Sequence, residues 1–150
     1  MEYFALSNYL TITRIFTFEM AHVLTKHNGL CRNIHGHSYK LHVTLTGEVL
    51  KKPGSSDDGM LIDFKDLKHI VAEHIINTYD HALVINQHAP YAALLEDLPI
   101  ERIKLMPFQP TCENLILHFA KLLVTNLPKH LRLTRLKLYE TENSYAEWHA

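Results

Sequence analysis

The chain has 150 residues and a formal charge of −1, from 15 Lys and Arg against 16 Asp and Glu. An apolar share of 47% excludes a disordered chain, and the near-zero charge argues against a nucleic-acid binder, which carries a basic excess. Histidine is the outlier, with 12 copies and no two adjacent; this pattern is not a purification tag and points to metal binding or proton transfer. The most apolar stretch, residues 115–127, is interrupted by His118 and Lys121 and is too short to cross a membrane. The first residues lack the basic start and cleavage site of a signal peptide. Cys31 and Cys112 therefore read as free thiols in a reducing cytoplasm.

Residues 1–9 read as an N-terminal arm. A strand follows over residues 10–22, where Phe16, Phe18, Met20 and His22 share one face by period-two alternation. Residues 23–34 contain the turn signal Asn28-Gly29 and read as a loop. Over residues 35–49, His37, Tyr39, Leu41, Val43 and Leu45 alternate with polar residues, as in an antiparallel sheet with one wet face. After the polar turn 51–59, Asp63 is a helix N-cap. Phe64, Leu67, Val71, Ile75 and Thr78 then form the apolar stripe of a helix over 64–78. Residues 87–110 read as irregular, with Pro90, Pro99 and Pro107 before Pro110. Thr111 caps a second helix, with Leu115, Phe119, Leu122 and Leu123 inward, which stops near Pro128. Strands over 131–141 and 144–149 close the chain. Two strands, two helices and two strands predict a single α+β domain with an antiparallel sheet.

Three of the histidines belong together. His22 ends the first strand, and His35 and His37 begin the second on one side. If the two strands pair across the intervening loop, the imidazoles converge at one end of a buried face. Three histidines with an open fourth position are a catalytic zinc arrangement. An isolated H-x-H pair is ordinarily a pair of satisfied histidines; the third, in phase, is what favours a metal. Cys31 lies in the loop off any apolar stripe. Most free cysteines are small buried hydrophobes, whereas a thiol beside a metal and Arg32 is activated as a base or nucleophile. Glu140 continues the core phase of Leu136 and Leu138. A carboxylate there needs a cation or a pair of N–H donors, unless the strand end is solvated. Cys112, at a helix start, is read as core packing.

Six segments in register then carry a resemblance: FTFEMAH (16–22), CRNIHGHSY (31–39), GMLIDF (59–64), YDHALVIN (79–86), PTCEN (110–114) and YETENSYAEW (139–148). Together they resemble the 6-pyruvoyltetrahydropterin and 6-carboxytetrahydropterin synthase family over roughly residues 10–149. The resemblance implies the tunnelling fold: a four-stranded antiparallel sheet with two helices on one face, assembled with copies into a β-barrel, as a hexamer of two trimers with active sites at subunit interfaces. It implies Zn2+ on His22, His35 and His37, a catalytic thiol at Cys31, and a proton relay in Asp80 and His81, which a neighbouring subunit can supply. It makes Glu140 the residue that grips the pterin ring, with Glu113 and Thr111 as further pocket residues. The three residues between Cys31 and His35 and the ending ETENSYAEW resemble the bacterial queuosine-pathway branch. Members of that branch convert 7,8-dihydroneopterin triphosphate to 6-carboxytetrahydropterin, acetaldehyde and triphosphate. The alternatives are a pyruvoyl-forming enzyme that only eliminates triphosphate and a non-catalytic zinc-binding homologue. The chain departs from the family pattern in its arm, in Cys112 and in the 87–110 segment.

Overall fold

The computed structural model describes residues 8–150. The expected arm lies outside the described residues apart from Asn8 and Tyr9, and Tyr9 already opens β1 (Tyr9–His22). β1 pairs antiparallel with β2 (His35–Glu48) along its whole length. β2 pairs antiparallel with β5 (Arg132–Thr141), and β5 with β6 (Ser144–His149). Opposite the Thr44–Leu45 step of β2, β5 carries one extra residue, Thr134, and this bulge lets Leu133 and Leu136, three residues apart on β5, both point inward.

The sheet is larger than the sequence suggests. It is six-stranded and mixed, in the order β4 (Ile103–Met106), β3 (Ala82–Asn86), β1, β2, β5, β6. β3 lies parallel to β1, and β4 parallel to β3. The expected four-stranded antiparallel sheet is therefore only part of it. The segment read as irregular holds β4 and a short helix, α3 (Ala92–Glu96). β3 is a short apolar run without alternation, and β4 has only four residues, Lys104 among them; periodicity can assign neither.

Asp63 caps α1 (Phe64–Val71), accepting from the Lys65 N–H at 2.7 Å. The helix widens into a π-helical turn at Ala72–Ile76 and ends in α2 (Asn77–Tyr79). Leu67, Val71, Ile75 and Tyr79 are the buried stripe, so Tyr79 takes the inward place expected of Thr78. A spacing of four drifts around a 3.6-residue helix, and the wider turn keeps these side chains on one face. α4 (Cys112–Asn126) is capped by Thr111, whose hydroxyl accepts from the Asn114 N–H at 3.2 Å. It stops as Leu127 turns extended before Pro128. α1 and α4 pack with Phe16, Phe18, Tyr39, Leu41 and Leu138 in one core, where each buried Leu or Phe contributes about 1.5–3 kcal/mol. Among the described residues, no helix is long and apolar enough to cross a membrane.

Candidate metal centre

The β1/β2 register sets His22 opposite His35, and Met20 opposite His37. The pleat turns all three imidazoles to the helix-covered face. One ligating atom from each lies within 4.8 Å of the others. The Nε2 atoms of His22 and His35 are 3.0 Å apart. Backbone carbonyls set the tautomers: His22 Nδ1–H donates to the Pro110 carbonyl at 2.7 Å, and His35 Nδ1–H to the Asn33 carbonyl at 2.8 Å. Each Nδ1 therefore holds the proton and each Nε2 a lone pair. Two lone pairs at that separation repel unless a cation lies between them. His37 Nε2 is buried and makes no hydrogen bond, which marks the same point in space. Burial, the largest cause, lowers the pKa of both His22 and His37. They stay neutral, the form that binds metal. Three neutral imidazoles suit Zn2+.

Glu140 joins this cluster. Its Oε1 lies 3.4 Å from the Nε2 of His22 and 3.4 Å from that of His37. The hydroxyl of the fully buried Tyr39 lies 3.4 Å from His22 Nδ1, and burial followed by the nearby Glu140 charge pushes its pKa far above the ordinary 10.0. Tyr39 and the Pro110 carbonyl were not singled out from the sequence. Tyr39 was visible in principle, because it continues the His35, His37 phase by two residues.

Asp80 and His81 stand elsewhere. Asp80 Oδ2 is 3.0 Å from His81 Nδ1, and its Oδ1 accepts from the Glu19 N–H at 2.9 Å, the contact that most lowers the Asp80 pKa. His81 is left-handed at φ 59°, a region non-glycine residues seldom adopt. It is held by its own N–H on the Glu19 carbonyl at 2.6 Å, and by Arg102 Nε–H on the Asp80 carbonyl at 2.9 Å. The cleft of about 410 Å³ that His81 lines also takes in Met20 and His37, together with the residues beside them, Glu19, Ala21, Gly36 and Ser38. Those four alternate with His22, His35 and His37 along their strands, so they belong to the opposite face of the sheet. Among the described residues, no hydrogen bond or ion pair links Asp80 or His81 to the imidazole cluster.

Cys31 sits half-buried in a 3₁₀ turn, Leu30–Arg32, whose Cys31 carbonyl accepts from Leu24 N–H at 3.0 Å. Thr111 serves as the α4 cap, and Glu113 lies exposed in the first turn of that helix. Cys112 is core: its Sγ donates to the Leu138 carbonyl at 3.2 Å, and burial pushes the thiol up to about 11. His118, partly exposed, packs against the rings of Tyr79, Phe108 and Phe119.

An uncharacterized protein from Wolinella succinogenes has a similar solved structure, with a TM-score of 0.77 at 20% identity, covering 95% of this chain and 99% of that one. The 6-pyruvoyl tetrahydropterin synthase of Caenorhabditis elegans gives 0.67 at 24% identity, covering 95% and 96%. Fold and site together define an α+β protein of the tunnelling-fold class with a histidine cluster able to hold a metal ion. A family model described as 6-pyruvoyl tetrahydropterin synthase matches residues 11–150, and the chain belongs to that family. The 6-carboxy-5,6,7,8-tetrahydropterin synthase of Haemophilus influenzae is 36% identical over 144 residues, spanning 91% of this chain and 96% of that protein. The Rickettsia typhi protein of the same name is 31% identical over 141 residues, spanning 90% and 96%.

Proposed function

We propose that the chain is a zinc-dependent 6-carboxytetrahydropterin synthase. With uptake of one water it converts 7,8-dihydroneopterin triphosphate to 6-carboxytetrahydropterin, acetaldehyde and triphosphate. It works as one domain in the cytoplasm and feeds queuosine biosynthesis. The observation that carries the reading is the cluster of His22, His35 and His37 with its Nδ1 protons held by backbone carbonyls. These three residues hold the metal. Bound there, Zn2+ supplies Lewis acidity that lowers the pKa of the substrate's side-chain hydroxyls. Cys31 takes a proton from the side chain, with Asp80 and His81 as the relay. Thr111, Glu113 and Glu140 orient the pterin, a positioning effect.

Asp80 and His81 make no hydrogen bond or ion pair with the cluster among the described residues, which supports an assembly in which one copy's pair serves the Cys31 of another. A hexamer of two trimers meets that need, and exposed Ile15 and Leu30 are surface for it. Incubating zinc-loaded protein with 7,8-dihydroneopterin triphosphate and weighing the products tests the reading. Acetaldehyde with a 6-carboxy pterin is expected. A 6-pyruvoyl pterin without acetaldehyde would place the chain in the pyruvoyl branch, and unchanged substrate would leave a non-catalytic zinc protein.

A further inference from the structure

The reading above gives the metal three protein ligands. The position of Glu140 adds a fourth. In a tetrahedral site the distance between ligand atoms is 1.63 times the metal–ligand bond, so zinc bonds of about 2.0–2.1 Å set ligand edges of about 3.3–3.4 Å. Glu140 Oε1 is 3.4 Å from His22 Nε2 and 3.4 Å from His37 Nε2. The Nε2 atoms of His22 and His35 are 3.0 Å apart, shorter than such an edge, and the group whose ligating atoms all lie within 4.8 Å of one another is the three histidines without Glu140, so Glu140 has to close on His35 as the metal binds.

We propose that Glu140 is the fourth protein ligand of the metal in the substrate-free protein, and that the substrate's side-chain oxygens displace it. The proposal rests on the trihistidine reading. It explains a carboxylate on a core phase: one charge offsets half of the metal's in a buried site, and on release the same group is free for the pterin ring. It also makes the resting site closed to stray ligands, opening only when two substrate oxygens compete for one carboxylate.

A crystal structure of zinc-loaded, substrate-free protein and a chelator-competition titration test this. Oε1 should lie about 2.0–2.2 Å from zinc. Glu140→Ala and the isosteric Glu140→Gln should each bind zinc at least ~10-fold more weakly, the low end of what loss of even an outer-shell partner costs. A water in the fourth position, or wild-type affinity in both variants, overturns Glu140 as a ligand and leaves the trihistidine site standing. Failure of the wild-type protein to retain zinc overturns both.

Discussion

The substitution His35→Ala separates the metal reading from simple packing. His35 is half-exposed at the end of β2, and its protein hydrogen bond with a fixed donor runs to the Asn33 carbonyl. Its ring also lies 4.5 Å from that of His22. Without metal, the variant loses one net hydrogen bond and part of a ring contact, about 1 kcal/mol, which lowers the melting temperature by roughly 2–4 °C for a domain of this size. With zinc at 100 times its Kd, the wild type gains about 2.7 kcal/mol, because metal binds only the folded state. Its melting temperature should rise by roughly 5–10 °C, and in the variant that rise should vanish. Differential scanning calorimetry with and without zinc gives all four numbers. An undiminished zinc-induced rise in the variant would refute the ligand assignment. A collapse of the metal-free variant would show that His35 serves the fold instead.

Three further outcomes follow from the structure. Cys31→Ala and His81→Ala should each keep zinc and lose turnover by orders of magnitude, and mixing the two after dissociation should restore part of it; no recovery would place the relay within one subunit. Burial holds His22, His37, His42 and His118 below their ordinary value of 6.5. The unfolded chain therefore binds protons below pH 6.5 that the metal-free folded chain refuses. Stability present above pH 6.5 should fall as the pH drops below it, read as a declining urea midpoint between pH 7.5 and 5.5, whereas a flat profile contradicts the burial argument. Thr111→Ala removes the α4 cap and should cost about 1 kcal/mol in urea melts, with a larger loss of pterin affinity only if the hydroxyl also touches substrate.

How much of this was readable in the sequence depended on the physics of each element. The long antiparallel strands declare themselves by alternation, and phase alone placed His22 beside His35 and His37, as the register shows. Asp63 and Thr111 declared the two main helix starts through their side-chain acceptors. β3 and β4 did not declare themselves. Their pairing is parallel and long-range, and runs such as Ala82–Asn86 are apolar without period. Glu140 stood out as a carboxylate on an apolar phase, but phase cannot say that its oxygen meets two imidazoles. The Pro110 carbonyl that fixes His22 comes from 88 positions away in the chain. No local pattern reports such a contact. The left-handed turn at His81 is equally silent, since histidine carries no glycine-like mark for it.

The central claim is that the histidine cluster holds the metal on which turnover depends. The direct measurement is acetaldehyde release from 7,8-dihydroneopterin triphosphate by protein stripped of metal, then titrated with zinc. The account predicts no release from the stripped protein, and activity that rises linearly and levels at one zinc per chain. Full activity in the stripped protein, or zinc bound at one per chain with no acetaldehyde formed, would contradict it.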